Sequence, residues 1–195
     1  MAPAASRVIL HMAASLDGYI ARPDGRVDWM ETADTYTDGE TLEPDAIETF
    51  LRSIDCYVMG SRTYETALNF EAQGYGWVYG DKPTFVLTRR QLPRNRDSIQ
   101  FIADDLSRFV NETLRPRYGL IWVAGGGMLC TEMLRLGLAD QISYAILPVL
   151  IGEGLPFFNP MDSDIPLHLK SVKAYKSGMV ELHYDVIKQP AGVTP

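Results

Sequence analysis

A chain of 195 residues, 46% hydrophobic and 22% charged, is long enough to bury a sizeable core and reads as one domain over residues 1–188, with 189–195 a flexible tail. Its net charge of −7 argues against general nucleic-acid binding, which needs a basic face, though a local basic pocket stays open. With no apolar run of about 18 residues, no membrane partner is expected, and the two cysteines, Cys56 and Cys130, lie far apart inside apolar segments, as buried free thiols of a reducing cytoplasm would.

Residues 7–14 (RVILHMAA) lead straight into Ser15-Leu16-Asp17-Gly18, so they read as a first strand rather than a signal peptide, with residues 19–21 a short extended piece after the turn. Pro23 and Asp24-Gly25 mark a loop, and Trp29 follows it. Residues 31–43 are acidic and rich in Thr and Asp, a solvated loop. Pro44 suits a first helical turn, and Ile47, Phe50, Leu51 and Ile54 mark one apolar helix face. A buried strand (56–59) then runs through Gly60 into a short helix over 64–68. Residues 69–81 form an aromatic, glycine-rich loop that either overlies a pocket or simply packs on the surface. A third buried strand (84–87), a short strand (98–102) and a helix (104–115) closed by Pro116 follow. The helix has acids in its first turn and Arg115 in its last, matching its dipole.

Residues 120–124 form a further buried strand, then Gly125-Gly126-Gly127, then a helix whose Met128, Leu129, Met133 and Leu134 recur at helical spacing before Gly137. An apolar strand over 142–151 is bent or edged at Pro148, and 152–158 is a loop with a hydrophobic plug. Strand-like runs over 168–171, 173–176 and 180–187 end the chain, the last two joined by a hairpin turn at Ser177-Gly178. The pattern predicts an α/β protein with a largely parallel sheet and antiparallel strands at one edge.

Three strand ends carry anion-binding chemistry. The glycine triplet places backbone N–H groups at a helix N-terminus, although a tight turn would use the same residues. Gly60-Ser61-Arg62-Thr63 repeats the junction with side-chain donors, although an N-capped helix with a surface arginine fits too. Thr88-Arg89-Arg90 ends a strand where open α/β sheets bind ligands, in keeping with a 2′-phosphate or with two solvated arginines. His11 and His183 lie in strands, where a structural role is the default, and His168 has no obvious partner.

Five segments occur in one family order: ASLDGYIA (14–21), VMGSRTYE (58–65), VLTR (86–89), AGGG (124–127) and LPVLIGEGLPFF (147–158). Together they resemble the dihydrofolate reductase superfamily, and more closely the C-terminal reductase domain of the riboflavin-biosynthesis deaminase/reductase, in a stand-alone form. The resemblance implies a three-layer fold with a mostly parallel central sheet, an antiparallel C-terminal hairpin and flanking helices. It also implies an NADPH-dependent reductase working as a homodimer on a small-molecule substrate. Gly60, Ser61, Arg62 and Thr63 would bind the pyrophosphate and adenosine side, and Thr88, Arg89 and Arg90 the 2′-phosphate. Gly125, Gly126, Gly127, Met128 and Leu129 would take the pyrophosphate and ribose, while Ala14 and Ile20 frame the nicotinamide.

Departures from the family bear on the substrate. The Asp-x-Pro-x-Leu…Arg element of riboflavin reductases is replaced by YETALNFEA (64–72), their Trp-Ile-Thr reads Trp29-Met30-Glu31, and the deaminase zinc motif is absent, so no metal is expected. Cys130 stands where dihydrofolate reductases carry a tyrosine. Asp45, Glu48 and Asp34 are the candidate proton donors, and Trp29, Tyr64 and Trp77 the candidate walls of the substrate pocket. A pyrimidine reductase of the riboflavin type is the first expectation, a dihydrofolate or other pteridine reductase the second, and an NADP-binding module without turnover the alternative from another class.

Overall fold

The computed structural model describes residues 5–188, so the tail expected over 189–195 lies outside the described residues. Its centre is β1 (Arg7–Ser15), whose Val8, Leu10 and Ala14 are fully buried on one face. The continuous apolar runs β3 (Cys56–Gly60), β4 (Thr84–Leu87) and β6 (Leu120–Val123) can be covered on both faces, as strands of a parallel sheet must be. They join β5 (Ile99–Ile102), β7 (Gln141–Leu147), β9 (Leu167–Ala174) and β10 (Val180–Val186) in the order β5-β4-β3-β6-β1-β7-β10-β9. All neighbours from β5 to β7 are parallel, while β10 and β9 are antiparallel. The short β2 (Tyr19–Ala21) and β8 (Leu155–Pro156) pair separately.

Helices cover both faces, completing three layers. On the first face α3 (Leu106–Arg108, continuing as a π-helical turn over Phe109–Leu114) and α4 (Gly127–Arg135) pack Phe109, Val110, Leu114, Cys130 and Met133 against Val8 and Leu10. On the second, α1 (Ala46–Ser53) and α2 (Ser61–Ala72) bring Phe50, Tyr64 and Leu68 against Tyr57, Met59 and Val86.

Several boundaries differ from the sequence reading for physical reasons. The helix expected over 104–115 begins after Asp105, whose carboxylate accepts the Arg108 N–H at 2.8 Å, and then widens so that Arg115 N bonds Val110 O. The strand expected to reach residue 151 stops at Leu147, because Pro148 has no N–H for a ladder and β1 ends opposite at Ser15. The helix after Gly60 starts at once and runs to Ala72, not over 64–68. The runs over 168–171 and 173–176 are one strand, with a register shift opposite His183 and Tyr184. The acidic loop is exposed as expected, yet tied down: Tyr36 N donates to Lys176 O at 2.8 Å, and Glu40 bridges Tyr175. A side chain on Gly39 would collide with the Tyr175 backbone.

One feature of the topology positions the site. β6 ends at Val123, opposite Leu10, whereas β1 continues to Ser15. Beyond Leu10 the two strands part, and the glycine turn leaves through the gap.

Candidate functional site

A cleft of about 550 Å³ opens where β3, β4 and β6 end. Two helices point their N-termini into it. Gly60 is the N-cap of α2 and Gly126 that of α4, and neither supplies a capping side chain. The first-turn N–H groups of both helices therefore face the cleft without an intrahelical partner, and both dipoles favour an anion there. The glycine turn is stitched to β3 by Gly60 N to Gly125 O (3.1 Å) and Ala124 N to Val58 O (2.9 Å). Gly125 has φ +124°, which only glycine adopts readily, and its peptide bond to Gly126 is cis. A Cβ on Gly127 would strike the Pro156 carbonyl oxygen, so the start of α4 lies directly against β8. Ile20 and Ala21 of β2, Val27, and Leu155 and Pro156 of β8 give the cleft an apolar end, with Met12 beside them.

Of the expected cofactor residues, Ile20, Gly60, Ser61, Arg62, Thr63, Gly126, Gly127, Met128 and Leu129 line this cleft. Gly125 lies against Thr63, the position of a Cβ being 3.3 Å from Oγ1, but does not itself line it. Ala14 is fully buried beneath. Thr88, Arg89 and Arg90 follow Leu87, which does line the cleft, but they stand outside its wall. Arg90 is spent elsewhere: its guanidinium meets Glu65 bidentately at 2.9 and 2.6 Å, and its N–H bonds Thr88 Oγ1. Among the described residues Arg62 and Arg89 form no ion pair, so theirs are the charges left for an anionic ligand.

The expected substrate and acid residues are not brought to the cleft. Tyr64 is core, its hydroxyl donating to Pro93 O at 2.6 Å, and Trp77 packs edge-on against Tyr64 and Tyr79 with the Arg96 guanidinium 4.4 Å over its ring. Trp29 is buried with its indole Nε1 unpartnered. Asp45 is the exposed N-cap residue of α1, Glu48 pairs with Arg52 in solvent, and Asp34 sits by Gly178 at the β9–β10 turn. Of the expected apolar face of α1, Phe50 packs against the sheet while Ile47 is 61% exposed, and Asp45 and Glu48 lie in solvent; Asp34 belongs to the loop before the helix. Residues the sequence reading missed include Thr66, one turn beyond Arg62 on α2, and Asn159, whose N–H is held by Thr131 Oγ1 at 2.8 Å. The first was legible as helical spacing; the second had no local signal.

Burial pushes both Cys56 and Cys130 up to about 12, so neither is a nucleophile at neutral pH. Among the described residues no group of three or more His, Cys, Asp or Glu side chains is placed to hold a metal ion, and no helix is long and apolar enough to cross a membrane.

Residues 6–181 match the RibD C-terminal domain. The Bacillus subtilis (strain 168) protein YwjB, itself uncharacterised, is 27% identical over 178 residues, covering 91% of this chain and 97% of YwjB. A putative riboflavin biosynthesis protein from Shewanella sp. PV-4 superimposes with a TM-score of 0.78 at 22% identity, covering 93% of this chain and 99% of that one. The Thermotoga maritima diaminohydroxyphosphoribosylaminopyrimidine deaminase/5-amino-6-(5-phosphoribosylamino)uracil reductase matches with a TM-score of 0.64 at 16% identity. That match covers 94% of this chain but only 57% of the Thermotoga protein.

Proposed function

We propose, from the premise that this chain belongs to the RibD C-terminal domain family, that it is an NADPH-dependent reductase of a small nitrogen heterocycle, formed as one domain over residues 1–188. The observation that carries the reading is the pair of uncapped helix N-termini, α2 and α4, facing one cleft. A diphosphate fits that arrangement, since two sets of unpaired N–H groups and two helix dipoles converge on it. Gly126 and Gly127 let the ligand approach the backbone, and Arg62 and Arg89 supply charge for a 2′-phosphate. When bound, the dinucleotide supplies a hydride from its reduced ring. Met12, Ile20, Leu155 and Pro156 form the apolar end that would exclude water from that ring. The residues thus hold and orient, and the rate gain comes mainly from placing donor and acceptor carbons about 3–3.5 Å apart.

A pyrimidine of the riboflavin type is the first substrate on this reading, and a dihydrofolate or other pteridine the second. The protein would work in the cytoplasm as a homodimer. The exposed edge strand β9, with Leu167, Leu169 and Val172 on its surface, supports the dimer; a monomeric mass in solution would reject it. Loss of NADPH absorbance with a panel of pyrimidines and pteridines tests the activity. Tight NADPH binding without turnover on any of them would leave a nucleotide-binding module instead.

A further inference from the structure

Polar side chains are distributed unequally around the cleft. Ser61, Arg62, Thr63 and Thr66 all stand on the first two turns of α2. The other lining residues are glycine or apolar, with the exception of Asn159. The α4 side of the cleft thus carries a single polar side chain. Among the described residues the one hydrogen bond of Asn159 is made by its backbone N–H, to Thr131 Oγ1 at 2.8 Å, which leaves the carboxamide without a protein partner.

The backbone that carries this side chain is fixed on both sides. Before it, Phe157 is buried, and its ring stacks on Phe158 at 4.0 Å and lies 5.1 Å from Tyr144. The carbonyl oxygens of Pro156 and Phe157 press on Gly127, the first residue of α4. After it, Arg135 donates through Nη2 to Pro160 O at 2.8 Å. Thr131 and Arg135 are four residues apart on α4, so one helix face holds both Asn159 and Pro160. Thr131 is 3% exposed, which makes its hydroxyl a fixed acceptor rather than a solvated one. A ligand meeting Asn159 therefore has neither backbone to order nor an internal hydrogen bond to displace.

The chemistry of the carboxamide narrows what it takes. The group is uncharged and offers donors and an acceptor together. A diphosphate needs donors alone, and the N-termini of α2 and α4 supply them. A vicinal diol matches a carboxamide better, since one hydroxyl can accept from its N–H while the other donates to its oxygen. A phosphorylated dinucleotide has one ribose with both hydroxyls free. The ribose of the adenosine half bears the 2′-phosphate and belongs with Arg62 on the α2 side. The second ribose joins the diphosphate to the reduced ring, between α4 and the apolar end at Ile20, Leu155 and Pro156. Asn159 follows β8 by three residues and flanks α4, so it stands on that side.

We propose that Asn159 binds the ribose diol of the hydride-donating half of the dinucleotide through its carboxamide. This rests on the NADPH reading and deepens it. Thr131 and Arg135 are positioning residues that hold the Asn159 backbone against α4.

Fluorescence titration of NADPH, alongside calorimetric titration of adenosine 2′,5′-bisphosphate, tests the proposal. The bisphosphate carries the 2′-phosphate but no second ribose, so it reports the α2 side of the cleft and the integrity of the fold. Asn159→Ala and Asn159→Leu are expected to weaken NADPH at least about fivefold, the loss of two hydrogen bonds, and the bisphosphate less than about twofold. NADPH affinity within about twofold of wild type in both variants overturns the proposal. Equal losses for the two ligands overturn it too, because they place Asn159 at the adenosine half or in the fold alone; either result leaves the NADPH reading standing. Wild-type protein that fails to bind NADPH removes that reading and this proposal with it.

Discussion

Three arginines expected to hold the cofactor differ in what they already bind. Arg62 lines the cleft and Arg89 stands just beyond Leu87, both without ion pairs among the described residues, while Arg90 is held bidentately by Glu65. A hydrogen bond to a charged group contributes about 1.5–3 kcal/mol. At roughly 1.4 kcal/mol per factor of ten, removing one guanidinium from a 2′-phosphate should weaken NADPH by about 10- to 150-fold. NADH has no such phosphate and should change less than about threefold. Arg62→Ala and Arg89→Ala are therefore expected to erode the preference for NADPH, and Arg90→Ala to leave it nearly intact. Glu65→Gln should strengthen NADPH binding, because it releases Arg90. The assay is fluorescence titration of both dinucleotides at fixed ionic strength, since exposed charges are screened over roughly 8 Å at physiological salt. Equal losses for NADPH and NADH in Arg62→Ala, or an Arg90→Ala loss matching it, would refute the reasoning.

Three further expectations follow from single observations. Gly127→Ala forces its methyl into the Pro156 carbonyl, which belongs to backbone and cannot swing away, so it should cost about 1–3 kcal/mol in denaturant unfolding and weaken NADPH; an unchanged midpoint would deny the close approach. Burial lowers His11 from 6.5 to about 4, which makes the folded state bind fewer protons than the unfolded one between those values. Stability should therefore be complete above pH 6.5 and fall as pH drops towards 4, by at most about 3 kcal/mol, with a flatter profile in His11→Gln. A stability that rises over that interval would contradict the burial. Cys56 and Cys130 should resist a thiol reagent at pH 8 until the protein unfolds, and rapid labelling of the native state would show that their burial is wrong.

What the sequence reveals and hides follows from the range of the interactions. The glycine triplet, Gly60 and the apolar strands are local signals, so the parallel sheet and the two glycine junctions that open α2 and α4 at the cleft are legible from residues a few positions apart. The role of Arg90 was not, because its partner Glu65 depends on α2 beginning at Ser61 rather than at Tyr64. Tyr64 and Trp77 read as pocket walls because aromatic residues suit both roles, and only the rotation of α2 sends Tyr64 into the core. Asp45 and Glu48 lie near the expected place in the chain, but only tertiary packing, with Phe50 towards the sheet, leaves both acids in solvent. Asn159 reaches the cleft because Thr131 and Arg135 hold its segment along α4. No local feature states that packing.

On the reading proposed above, one dinucleotide lies across the strand ends with its diphosphate between α2 and α4. A crystal structure of the protein with NADP bound tests it most directly. Diphosphate oxygens are expected within hydrogen-bonding distance of the first-turn N–H groups of both helices, and the 2′-phosphate against Arg62 or Arg89. A dinucleotide bound elsewhere, or a cleft that stays empty at saturating NADP, would contradict it.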